Sequence, residues 1–265
     1  MLITILVSLA VFYITMTFLV SHFQHKMVFQ PNRINIFNTS YDPFTTVSVK
    51  TSDGLELRGL YAPPRDGKPV IIYFHGNAGS IIDRAVKTLL PIESGYGYLL
   101  AEYRSYGGNP GKPSEQGLYN DARAWIDFAL AQGLSQDQLI YHGESLGTGV
   151  AVQMASERKP KALILEAPFT SVTAVASYYY PVLPVKRLLR YPFDSVSKVQ
   201  SFDMPVLIYH GTRDITVPYR FGEALFAAIP STQKTFITLT GAGHANLFDH
   251  GAADHVMEFL NAYAP

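Results

Sequence analysis

Ser145 stands between two glycines in Gly143-Glu144-Ser145-Leu146-Gly147, directly after the apolar run Leu139–His142 and before the small-residue stretch 146–155. A G-x-S-x-G pattern between a strand and a helix makes a tight, strained turn that lifts the serine to the strand's C-terminal end. Glycines on either side let strand and helix approach closely. The N–H of Leu146 then lies at a helix N-terminus, where it favours developing negative charge. A tight turn alone would also want small residues, so the partners of Ser145 decide between the two readings. The spacing lacks the lysine of a phosphate-binding loop.

A serine hydroxyl needs a base to act as a nucleophile. His75, His142 and His210 end apolar runs, His22 and His25 follow the N-terminal apolar segment, and His250 and His255 fall on a C-terminal helix. His244, in the glycine-rich stretch "LTGAGHANL", follows the last apolar run and is the best-placed base. The base needs an acid to fix its tautomer. Asp214, in "HGTRDITVP", lies just beyond the run Val206–His210; Glu166, at the end of another run, is the second choice. Asp194 and Asp203 do not follow a strand directly, and Asp249 suits a helix N-terminus. Ser145, Asp214 and His244 thus occur in the chain order of an α/β-hydrolase. The loop "YFHGNAGS" reads either as a plain strand-to-helix turn or, as in hydrolases of that order, as the source of a second oxyanion donor, the backbone N–H of Asn77 with Ala78 as the alternative, beside that of Leu146.

Those residues need a scaffold. Val70–Phe74, Tyr98–Tyr103, Leu139–His142, Ala162–Glu166, Val206–His210 and Thr235–Leu239 are continuous apolar runs, as a sheet covered on both faces requires. Leu118, Ala122, Trp125 and Ala129 share one helical face after the N-cap candidate Ser114. Alternating strands and helices predict an α/β fold with a mostly parallel, doubly wound sheet. Thr46–Lys50 and Leu55–Tyr61 around "SDG" predict an N-terminal antiparallel hairpin. The interval 168–204 holds no strand-like run and reads as a small lid insertion, with an extra packing helix as the alternative. Its Lys186, Arg187 and Arg190, beside Leu188 and Leu189, suit lipid headgroups. "YRSYGGNPGKPSE" is a loop by composition.

Leu2–Val20 carries no charge and as a helix measures about 28 Å, close to a bilayer's hydrocarbon thickness. It lacks the basic start and cleavage site of a signal peptide. The expected organisation is an anchor helix over 1–22, a linker over 23–45 and a catalytic domain over 46–265. Lys26 and Arg33 follow the span, which points to a cytoplasmic domain on the strength of two charges and leaves the side open. The 265 residues balance 21 basic against 21 acidic side chains, so there is no broad basic field for nucleic acid. With no cysteine, thiolate metal sites, disulfides and a cysteine nucleophile are excluded.

From about Thr46 to Ala264 the chain resembles an α/β-hydrolase-fold serine hydrolase, on "HGNAG", "YRSYGGNPGKPSEQGLYNDARAW", "GESLGTGVA", "LEAPFTSV", "HGTRDITVP" and "GAGHANL" in that order. With the N-terminal span and "MVFQPNR", it is similar to the membrane-tethered α/β-hydrolase-domain subfamily, which includes protein depalmitoylases. Those depalmitoylases carry a cysteine-rich, acylated N-terminus, whereas this chain has a hydrophobic span and no cysteine. The resemblance implies hydrolysis of an acyl ester or thioester, lipids included, by Ser145, Asp214 and His244 without cofactor or metal. It also implies that Tyr106 walls the site. Acyl transfer on the same triad and a catalytically inactive membrane-tethered scaffold are the alternatives; peptidase action lacks a dedicated second domain to sort peptides.

Overall fold

The computed structural model describes all 265 residues. Eight strands form the central sheet: β1 (Thr45–Lys50), β2 (Glu56–Ala62), β3 (Val70–Phe74), β4 (Gly97–Ala101), β5 (Leu139–Glu144), β6 (Ala162–Glu166), β7 (Val206–Gly211) and β8 (Lys234–Leu239). Their order across the sheet is β8-β7-β6-β5-β3-β4-β2-β1. Only the β1–β2 and β2–β4 pairs are antiparallel. The predicted hairpin is therefore the antiparallel edge of an otherwise parallel sheet. Strands β3 to β7 are buried on both faces apart from the end of β5, which explains their lack of alternation.

Eight helices accompany the sheet: α1 (Leu2–Val28), α2 (Leu89–Glu93), α3 (Glu115–Ala131), α4 (Leu146–Glu157), α5 (Val172–Tyr179), α6 (Val185–Leu188), α7 (Arg220–Ala228) and α8 (Ala252–Tyr263). Ser114 caps α3 as expected, its hydroxyl accepting the Gly117 N–H at 3.0 Å. The predicted apolar face of α3 is buried, and the Trp125 indole N–H donates to Glu102 O at 3.0 Å. One buried cluster, with Trp125, Val150, Phe193 and Phe202, packs on one face of the sheet. A second, with Tyr73, Tyr209, Leu247 and Leu260, packs on the other.

The N-terminal helix differs from expectation in length. It continues six residues past the boundary at 22, to Val28. The segment expected as a linker over 23–45 is packed rather than free. Phe29, Ile36 and Phe44 are buried. Gln30 and Pro31 pair in parallel with Ala78 and Gly79, so this segment braces the loop that follows β3. The physical reason is apolar anchoring: three large side chains bury themselves in the two clusters at wide intervals.

Candidate active site

Three strand ends converge on Ser145. The residue itself has φ 49° and ψ −115°, a left-handed backbone that costs a non-glycine residue energy and persists only where its surroundings enforce it. The Ser145 N–H donates to Glu166 O at 2.9 Å on the neighbouring strand. Its carbonyl accepts from the Thr148 N–H at 2.9 Å and the Thr148 hydroxyl at 2.6 Å. The flanking glycines have steric reasons. A Cβ on Gly147 would lie 1.9 Å from Phe74 O, and one on Gly143 would lie 2.6 Å from Gly147 O.

The residues singled out in the sequence meet here. His244 Nδ1 is 2.6 Å from Asp214 Oδ2, and His244 Nε2 is 2.9 Å from Ser145 Oγ. Burial pushes the Asp214 carboxyl up. Hydrogen bonds from His210 and His244, with the Val217 N–H, outweigh burial and hold it below the usual carboxylate range. An ionised carboxylate only accepts, so His244 Nδ1 carries the proton and Nε2 is left to accept from the Ser145 hydroxyl. The other oxygen of Asp214 accepts the N–H groups of Thr216 and Val217, each at 2.8 Å. Four donors therefore fix this carboxylate.

Asn77 and Leu146 line the same cleft as Ser145; Ala78 does not. Neither the Asn77 nor the Leu146 N–H has an acceptor among the loop and cap hydrogen bonds. Two backbone N–H groups without an acceptor therefore belong to residues that line the cleft of the serine. Tyr106 is placed differently from the expectation that it walls the site. It is fully buried, and its hydroxyl donates to Asn77 O at 2.9 Å, so it braces the loop that follows β3.

Glu166, the second choice for the acid, is not near His244. Its carboxylate accepts from Lys87 at 2.7 Å and from the Tyr209 hydroxyl at 3.0 Å. Lys87 also donates to Glu144 at 2.9 Å, and Arg84 donates to Glu144 at 2.8 Å. Glu144 and Glu166 are register partners on β5 and β6, so two carboxylates flank the serine turn and the two cations neutralise them. No motif joined Arg84 and Lys87 to this site, because they come from a separate helical segment. His210 is likewise a partner that the motif alone did not reveal. Its Nε2 lies 3.2 Å from Asp214 Oδ2 and 2.8 Å from Val217 O, both acceptors, so it also carries a proton. No group of histidines and acids has a metal-binding arrangement.

A cleft of about 240 Å³ opens above Ser145, and 15 of its 20 lining residues are hydrophobic. Residues of α5 and α6, within the interval expected as a lid, form its roof, and Thr216 and Val217 close one side. Such a cleft can seat an apolar chain with its polar end at the serine.

Comparison with known proteins agrees with this fold. Residues 111–264, more than half of the chain, match the prolyl oligopeptidase family. The chain belongs to that family. It is a serine hydrolase of the α/β-hydrolase fold. An uncharacterised protein of Mycobacterium tuberculosis is 41% identical over 204 residues, covering 75% of this chain and 71% of that protein. The lysophosphatidylserine lipase ABHD12 of Gallus gallus is 33% identical over 189 residues, which is 63% of this chain and 49% of the lipase. Among solved structures, the Pyrococcus furiosus esterase Pf2001 superposes with a TM-score of 0.69 at 19% identity, covering 90% of this chain and 99% of the esterase. At that identity the likeness is one of fold.

Proposed function

We propose that this enzyme hydrolyses carboxylic esters or thioesters through an acyl-enzyme on Ser145, while held to a membrane by α1. The observation that carries the proposal is the unbroken hydrogen-bond line from Asp214 through His244 to Ser145 at the floor of an apolar cleft. As Ser145 Oγ bonds to the acyl carbon, its proton passes to His244 Nε2. Asp214 stabilises the resulting imidazolium, and the N–H groups of Asn77 and Leu146 receive the charge on the carbonyl oxygen. Collapse expels the alcohol or thiol, which takes the proton back from His244. Water then attacks the acyl-enzyme by the same route, with His244 again as base, and releases the acid and free Ser145.

The largely hydrophobic lining favours an acyl chain over a peptide, whose successive N–H and C=O groups would need partners when buried. The ester-cleaving relative named as a lipase supports the same choice. For the anchor, α1 is the helix long and apolar enough to cross a bilayer, with a mean hydropathy of 2.4. Residues 1–22 then serve as anchor and 46–265 as catalytic domain, with 168–204 as its lid.

The deciding experiment treats the detergent-solubilised protein and its Ser145→Ala form with a fluorophosphonate and measures p-nitrophenyl ester turnover. The expected result is labelling and turnover in the wild type and the loss of both in the variant. Turnover that survives the substitution would refute the assignment of Ser145.

A further inference from the structure

The anchor helix does more than tether. Val20, Ser21, Gln24, Met27 and Val28 line the cleft that contains Ser145. Their spacing puts them on one helical face. The opposite wall of that part of the cleft is Leu183, Val185, Leu188 and Leu189 of the lid. One buried amide joins the two walls. Gln24 donates to Leu188 O at 3.0 Å and to Ser21 O at 2.8 Å, and its Oε1 accepts the Arg190 N–H at 2.8 Å. A buried amide in an apolar helix is costly unless it is paired, and here each end has a partner on the lid. Farther along α1, the Tyr13 hydroxyl donates to Val182 O at 2.9 Å.

These contacts set the depth of the lid. Tyr13 lies inside the uncharged run Leu2–Val20, which must fill most of the ~30 Å hydrocarbon layer if α1 spans it. The lid edge at Val182 therefore sits at the same depth. Its outer surface suits that position: Tyr178, Tyr179, Tyr180 and Val182 are exposed, as is the neighbouring Ile215. Tyr179 is tied to Ile215 by a hydrogen bond to its carbonyl. Lys186, Arg187 and Arg190 are exposed on the following segment, where headgroups would meet them.

We infer that α1 and the lid together form an acyl-chain site open to the bilayer, so that the substrate is a long-chain acyl lipid drawn sideways from the leaflet. The scissile carbonyl lies at Ser145 and the chain runs between α1 and α6, against Val20 and Ser21. This deepens the ester-hydrolase proposal and rests on it.

The test uses the full chain in phosphatidylcholine–phosphatidylglycerol vesicles, with palmitic acid bearing a diazirine near its methyl end as the probe. It is run on wild type and on Ser145→Ala. Photolabelling of peptides covering 20–28 and 179–189, competed by p-nitrophenyl palmitate, is expected in both proteins. In parallel, Ser21→Phe fills the α1 side of the cleft. It should lower the palmitate-to-butyrate ratio of kcat/KM by ~10-fold or more, whereas Leu19→Phe on the exposed face should leave that ratio unchanged. Label confined to other peptides, or a ratio that Ser21→Phe does not move, overturns the inference. A wild type without fluorophosphonate labelling or turnover would sink the hydrolase proposal, and the label on Ser145→Ala would still decide whether α1 walls an acyl site.

Discussion

At Asp214, two histidines and two backbone N–H groups meet one carboxylate, and that convergence separates it from every other acid in the chain. Asp214→Asn keeps the shape but allows the wrong imidazole tautomer. Turnover is expected to fall by roughly 10⁴, with little change in melting temperature. Glu166→Gln gives the contrasting result. Its carboxylate helps neutralise Lys87 inside the core, so the variant should keep turnover within about tenfold while unfolding at lower temperature, because a buried cation loses one of its two carboxylate partners. A thermal melt run beside a p-nitrophenyl ester assay separates the two residues. Ser145, Asp214 and His244 stood out in the sequence because each lies just after an apolar run and their order is distinctive. Arg84, Lys87 and His210 were not legible as site residues. A buried ion cluster draws single residues from distant segments, and none of them carries a local pattern.

Elements were legible where burial imposes a period. The six apolar runs are strands to within two residues at either end, and the alternating pair is the antiparallel edge. The long reach of α1 and the packing of 29–44 were not, since isolated residues such as Phe29, Ile36 and Phe44 anchor without periodicity. The serine turn is an element-scale object, because β3, β5 and α4 meet there. Gly147→Ala would push a methyl group onto Phe74 O. The expected outcome is lost soluble expression, or a melting temperature lowered by enough to exceed the usual 1–3 kcal/mol of an overpacked site. Tyr106→Phe deletes one hydrogen bond to Asn77 O in the loop after β3. It should cost about 1 kcal/mol of stability and a smaller share of turnover than the 10²–10³ of a lost oxyanion donor.

Across the whole molecule, one buried histidine ties stability to pH. His142 sits between the hydroxyls of Tyr98 and Tyr209, and burial, with the charge on Lys87, lowers its pKa from 6.5 to about 3. The folded protein therefore keeps it neutral while the unfolded chain binds a proton below pH 6.5. Unfolding takes up that proton as pH falls, so the stability that His142 contributes declines from about pH 6.5 towards pH 3, by up to ~1.4 kcal/mol per pH unit. Urea unfolding of His142→Asn should show a shallower limb than wild type in that window. The same scale decides how α1 belongs to the rest. Residues 1–12 are exposed throughout, whereas from Tyr13 onward the helix touches the lid and from Val20 it walls the cleft. Deleting 2–12 removes more than half of the proposed span Leu2–Val20 and no hydrogen bond to the catalytic domain. That protein should fold with an unchanged melting temperature and be released from membranes by alkaline carbonate, whereas the full chain should stay with the membrane. Deleting 2–28 also removes the three hydrogen bonds that Gln24 makes and uncovers the lid's apolar wall. With the Tyr13 bond to Val182 O, three lost hydrogen bonds reach the lid; at about 1 kcal/mol each, the melting temperature should drop by roughly 6–12 °C. The exposed wall should also make the protein aggregate. Equal melting temperatures for the two truncations would mean that α1 is a tether alone and that the catalytic domain ends at its own lid.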